Sequence, residues 1–144
     1  MSQINLALSK KLIEAAEQEA AKINVPMVIS IVDAGGNLVA CHRMDEALLV
    51  SVDIAQNKAW TSIAMKMPTE NLTQATGSGN ELFGINTTNN GRVVIFGGGI
   101  PLIEDNQIIG AIGVSGGSVK EDIQVAQAAV DMLSHLNETA SITE

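Results

Sequence analysis

The chain has 144 residues, 46% of them apolar, with 8 Lys+Arg against 16 Asp+Glu and a net charge of −8. That length suits one domain over residues 1–144, and the acidic balance excludes a phosphate-neutralising face for nucleic acid or anionic lipid. Trp60, Phe83 and Phe96 are the whole aromatic complement and Cys41 is the lone cysteine, which excludes a base-stacking platform, a disulfide framework and a Cys-rich zinc site.

Residues 4–23 place Leu8, Leu12, Ala15, Ala16, Ala20 and Ile23 at three- and four-residue spacing, the pattern of an amphipathic helix that Pro26 follows. The runs 27–32 and 38–44 flank Asp33-Ala34-Gly35-Gly36-Asn37 and predict a β-hairpin. Asp45 is expected to cap a second helix over 48–67, with Val52, Ala55, Ala59 and Ile63 facing inward and Pro68 ending it. Residues 69–76 predict a turn or two of helix, and the polar, Gly/Asn-rich stretch 77–92 a long loop. A strand over 93–96 follows, then a hairpin of 102–103 with 107–114 about Glu104-Asp105-Asn106. Ser118-Val119-Lys120-Glu121 is a capping box, opening a last helix with the stripe Val119, Ile123, Ala126, Val130 and Leu133. The sum is an α+β domain with five strands, mostly antiparallel, between helices on both faces in α/β/α layers.

The segment Gly97–Ser118 holds seven of the 13 glycines around two short apolar runs. Glycine serves where the backbone turns with positive φ or where another group comes close. No GxGxxG or GxxxxGK[ST] is present, so nucleotide fingerprints are absent. Two uses remain open for Gly97, Gly98, Gly99, Ser115, Gly116, Gly117 and Ser118. One is close packing; the other is a backbone recess for a small anionic group beside a helix N-terminus.

Val32-Asp33-Ala34-Gly35-Gly36-Asn37-Leu38-Val39, Arg43-Met44-Asp45, Ile54-Ala55 with Lys58-Ala59, Gly98-Gly99-Ile100-Pro101-Leu102 and Ile109–Gly117 stand in that order along nearly the whole chain. In these motifs the sequence resembles the GlcG/HbpS-like family, which includes the C-terminal domain of PduO-type proteins. The resemblance implies a profilin-like fold with a five-stranded antiparallel sheet. It also implies homo-oligomers, in some members octamers built from dimers, and an association with glycolate, diol or glycerol metabolism. Haem is the ligand it suggests, since some members bind or degrade haem.

Candidate residues follow from chemistry and position. His42 is the candidate haem ligand, expected to share a strand face with Leu38, Ala40 and Met44, opposite Val39, Cys41 and Arg43. His135, late in the last helix, is a weaker one. Cys41 cannot share a proton with His42 across the strand and is expected to be a packed thiol. Arg43 either clamps a carboxylate through two parallel hydrogen bonds or, with Asp45, ties the strand–helix corner. Lys58 either pairs with Asp45 or Asp33 or holds a ligand's negative charge. A mean hydropathy of +0.22 without any run of ~18 apolar residues points to apolar surface closing against further copies of the chain. The start MSQINLALSKK lacks a secretory layout, so the cytoplasm is the expected setting. The leading expectation is an oligomeric small-molecule-binding protein, with haem or a related tetrapyrrole as ligand. Its rivals are an enzyme acting on a small hydroxy acid, aldehyde or diol-pathway metabolite, with Arg43, Lys58 and the glycine-loop amides polarising an oxyanion, and an accessory subunit of a cobalamin-dependent diol or glycerol enzyme.

Overall fold

The computed structural model describes residues 3–143. Helix α1 (Leu6–Lys22) begins where the Asn5 side chain accepts a hydrogen bond from the Leu8 amide at 2.8 Å, and it buries Leu12, Ile13, Ala16 and Ala20. Strand β1 (Val28–Asp33) is buried on both faces, and the Asp33 carboxylate closes the following turn by accepting from the amides of Gly35 and Asn37. Strand β2 (Leu38–Arg43) returns antiparallel to it. Helix α2 (Val50–Met65) and the short α3 (Leu72–Ala75) precede strands β3 (Gly99–Glu104) and β4 (Gln107–Ser115), and α4 (Val119–Thr143) ends the chain.

Among the described residues the sheet has four strands in the order β2-β1-β4-β3, all pairs antiparallel, not five. The expected strand at 93–96 is irregular because hydroxyls take the place of a strand partner. Thr61 Oγ1 donates to the Arg92 carbonyl at 3.2 Å and accepts from the Val94 amide at 3.0 Å, while Thr73 Oγ1 donates to the Ile95 carbonyl. A segment whose polar groups are met this way does not need a sheet edge. Strand β3 instead starts inside the glycine run at Gly99. It lies at the sheet edge, where Pro101 does not interrupt a central ladder.

Helices α1 and α4 cover one face over Ile29, Ile31, Ile112 and Val114, and α2 covers the other over Val28, Val32 and Ala111. The two faces pack differently. The α1/α4 side is filled by branched side chains, whereas α2 meets the sheet through Ser51, Ala55, Ala59 and Ser62. Small residues let the helix backbone lie so close that a Cβ at Gly113 would collide with the Ala55 carbonyl and one at Gly99 with the Lys58 carbonyl. That close approach is what these glycines provide.

Helix α2 differs from expectation at its start and along its inner stripe. It begins at Val50 with Leu49 at the N-cap and no side-chain cap, so Asp45 does not cap it. Asp45 stays exposed in the turn that precedes Ala47, with Glu46 at φ +70° taking the left-handed position. Ser51, Lys58, Thr61 and Ser62 join Ala55 and Ala59 on its buried face. The capping box at α4 forms as expected: the Ser118 amide donates to Glu121 Oε1 at 2.9 Å and the Glu121 amide to Ser118 Oγ at 3.2 Å.

Candidate functional site

Lys58 is fully buried, and its Nζ donates to the Val114 carbonyl at 2.7 Å and to Asp122 Oδ2 at 2.9 Å. Neither Asp45 nor Asp33 is its partner. The pair joins α2 to the first turn of α4 across the end of β4. Asp122 Oδ1 accepts the Gly117 amide at 2.9 Å, so one carboxylate serves both the amine and the loop entering α4. Burial pushes the Lys58 amine below its ordinary range and the Asp122 carboxyl above its own, each opposed by the other's charge. The face of the Phe96 ring lies 5.1 Å from Nζ. Gly98, at φ +125°, has no room for a side chain: a Cβ there would sit 2.6 Å from both Nζ and the Val114 carbonyl oxygen.

Gly97, Gly98 and Gly99 are buried and packed from within the chain, whereas Gly116 is half-buried and Gly117 and Ser118 are exposed. Gly97 is covered by Ile123 and Val119, Gly116 by Pro26 and Met27, and Gly117 by Glu121 and Met27. The Gly99 amide donates to Thr69 Oγ1 at 3.0 Å, and the Gly117 and Ser118 amides serve Asp122 and Glu121. Ser115 is buried with its hydroxyl on Ser51 Oγ at 3.0 Å. Of the expected set, the structure brings together Lys58, Gly98, Gly99, Gly117 and, one residue beyond Val114, Ser115. Asp122 is the residue that sequence reasoning missed. Its signal was a lysine on the inner stripe of α2, which demands a buried counter-charge.

Arg43 and Asp45 lie apart from this cluster at the end of β2. Both Arg43 Nε and Nη2 donate to the Ala47 carbonyl, at 3.1 and 2.8 Å, tying the strand to the corner before α2. Arg43 shares the α2 side of the sheet with Ser115, separated by Val28, which pairs with both.

His42 faces the opposite side, toward α1, in register with Ile29. Its side chain is 45% exposed, and Nδ1 lies 3.6 Å from Glu17 Oε1. A register shift between Ile31 and Val32 puts Ala40 opposite Ile31 and Leu38 opposite Val32. The bulge breaks the expected alternation, so Val39, not Leu38, packs with Ala40 and Met44 against the α1/α4 core. Cys41 is half-buried on the α2 side, with the Ser30 hydroxyl donating to its sulfur at 3.1 Å. Between the end of α1 and residues 44–46 lies an open cleft of ≈ 400 Å³, lined by Ala20, Ala21, Val25, Pro26 and Met44 and by the polar Asn24, Asp45 and Glu46. His135 is exposed on α4.

This site chemistry is one ring nitrogen beside an aliphatic cleft. Among the described residues no group of three or more His, Cys, Asp and Glu side chains is placed to hold a bare metal ion. No helix among them is long and apolar enough to cross a membrane.

Comparison with known proteins agrees with this architecture. The chain is 46% identical over 136 residues, 94% of its length and 96% of the other's, to an uncharacterized 15.0 kDa protein of the dhaT-dhaS intergenic region of Citrobacter freundii. It is 45% identical over 120 residues to the corrinoid adenosyltransferase PduO of the same organism; the match spans 83% of this chain and only 36% of PduO. Among solved structures, a PduOC:heme complex superposes with a TM-score of 0.87 at 42% identity, covering 90% of this chain and 94% of that one. The family model for haem degrading protein HbpS-like matches residues 4–131. The chain belongs to the HbpS-like family.

Proposed function

We propose that this protein binds haem or a related tetrapyrrole at the open edge of its sheet, with His42 as the residue that would hold its metal. The observation that carries the reading is the half-exposed imidazole held with Nδ1 toward Glu17. With Nδ1 turned toward that carboxylate, Nε2 is the ring nitrogen left to meet a metal. The residues fit such a group: a neutral imidazole suits iron, and the aliphatic and thioether walls of Ala20, Ala21, Val25, Pro26 and Met44 offer apolar cover nearby. Haem bound here would supply an iron centre, with the His42 imidazole as the group that would hold it. The chain's own residues do the rest. His42 ligates, Glu17 fixes the ring, and Met44 shapes the cleft while its sulfur accepts from the Met27 amide at 3.4 Å. The 42%-identical PduOC:heme complex supports the reading, as does the family's name.

Titration of the purified protein with hemin, followed at the Soret band, tests it. The expected result is a saturable shift that His42→Ala abolishes. A titration curve unchanged by His42→Ala, or no saturation, sinks the assignment. Assembly into homo-oligomers in the cytoplasm belongs to the same reading. Leu48, Leu49 and Val50 are 58%, 73% and 60% exposed in sequence continuity, apolar surface that a second copy would cover. Native mass spectrometry reports that assembly directly.

A further inference from the structure

The tetrapyrrole reading makes no use of Lys58. Burying an ammonium costs several kcal/mol after relaxation, a cost a similarly sized apolar residue would avoid, so its position asks for a chemical reason. Nζ is held on two sides by the Val114 carbonyl and Asp122, and on a third it faces the Phe96 ring. That ring is 38% exposed. Together with Asp53, Ile54, Asn57 and Asn86 it lines a cleft of ≈ 340 Å³. Ile54 stands one helical turn before Lys58 on α2, on the same side of the helix. Phe96 thus borders both a buried primary amine and an open cleft.

We propose that Lys58 captures a small, uncharged, hydroxylated aldehyde admitted from this cleft past Phe96. Asp122 accepts the ammonium proton, and the freed lone pair of Nζ attacks the carbonyl carbon to form a carbinolamine. The proton then returns to the carbinolamine hydroxyl, water leaves, and a protonated imine remains; ammonium and aldehyde give iminium and water, with no oxidant or reductant. Burial favours this by pushing the amine toward its neutral, nucleophilic form and Asp122 toward its protonated form. The cleft also selects the class of carbonyl. Asn57 is oriented by donating to Asp53 Oδ2 at 3.0 Å and accepting from Arg92 Nε at 3.2 Å. The Arg92 guanidinium is itself stacked 4.5 Å over Trp60. With the carboxylate of Asp53 and the amides of Asn57 and Asn86 on its wall, the cleft suits hydroxyls and repels a carboxylated or phosphorylated aldehyde.

The test treats the full chain with glycolaldehyde and sodium cyanoborohydride at neutral pH, then maps reduced adducts by peptide mass spectrometry. Lys58 is expected to be modified about tenfold faster than the exposed Lys10, Lys11, Lys22, Lys66 and Lys120, the reward of a desolvated amine with a neighbouring base. Phe96→Ala should speed it further, and glyoxylate in place of glycolaldehyde should label Lys58 far more slowly. Modification of Lys58 no faster than of the exposed lysines overturns the proposal. Labelling that appears only in Phe96→Ala also overturns it, because the native ring would then exclude the aldehyde. Equal labelling by glyoxylate overturns the substrate class. None of these readouts depends on His42, so this proposal and the tetrapyrrole reading fail separately.

Discussion

The α2–β4–α4 junction and the open edge of the sheet at β2 each set a basic side chain opposite a carboxylate, and there the likeness ends. Lys58 and Asp122 meet at 2.9 Å with side chains 0% and 5% exposed. His42 and Glu17 stand 3.6 Å apart with side chains 45% and 33% exposed. In the first region every glycine is a place where protein atoms already sit, and the charge is tied to a carbonyl, a carboxylate and an aromatic face. In the second, one ring nitrogen is engaged and the strand edge is uncovered. The close packing of α2 on the sheet is where Gly98, Gly99 and Gly113 stand; the open cleft near the end of β2 is lined instead by side chains such as Val25, Pro26 and Met44.

The closed region should break hardest. Asp122→Ala strips the partner from Nζ and the acceptor from the Gly117 amide, and removing one member of a buried ion pair costs about 3–5 kcal/mol. Urea denaturation should show that loss; a loss below about 1 kcal/mol would mean the pair is not the keystone of the junction. The double variant Lys58→Met/Asp122→Asn keeps an oxygen for Gly117 and removes the orphan charge. Its loss should fall short of the summed single-variant losses by more than about 1 kcal/mol. Gly113→Ala comes next. Its methyl would press on the Ala55 carbonyl, backbone against backbone, so an overpacking cost of about 1–3 kcal/mol is expected.

A smaller effect follows the protons. The folded state raises the Asp122 pKa above 3.8, so it binds more protons than the unfolded chain in the interval above that value. Stability from Asp122 is therefore fully present below pH 3.8 and lost as pH climbs through the raised value. The Lys58 pKa is lowered from 10.5, so its contribution is fully present above pH 10.5 and lost as pH falls through the lowered value. The wild type should thus lose stability relative to Lys58→Met/Asp122→Asn as pH rises from 4 toward neutrality. Matched denaturation series at several pH values would show the converging or diverging midpoints.

Local signals were legible in the sequence, and long-range ones were not. The Asp33–Asn37 turn and the Ser118–Glu121 capping box each depend on residues at most four apart, and each formed. Lys58 and Asp122 are 64 residues apart, and no spacing rule links a mid-helix lysine to an aspartate in the next helix but one. The irregular 93–96 segment reads as a strand because Val93, Val94 and Ile95 favour one. It is held off the sheet by Thr61 and Thr73, whose hydroxyls only become its partners once α2 and α3 are in place. The β2 bulge is a similar case, since strict alternation misplaces Leu38 and Val39 until the register against β1 is known.

The open region should respond in the opposite sense, with small changes in stability and large ones in binding. Glu17 Oε1 lies 3.6 Å from His42 Nδ1 and both side chains are partly solvated, so Glu17→Gln should change folding stability by less than about 1 kcal/mol. If the carboxylate orients the imidazole, the same substitution should weaken hemin binding about 10- to 100-fold, the usual effect of removing a group that supports a metal ligand. Soret titration of Glu17→Gln beside wild type separates this from a packing role, because a packing defect would appear in denaturation and leave the spectrum of the bound state unchanged. Unchanged hemin affinity in a stably folded Glu17→Gln would reduce the contrast between the two regions to exposure alone, with the β2 edge open but not tuned.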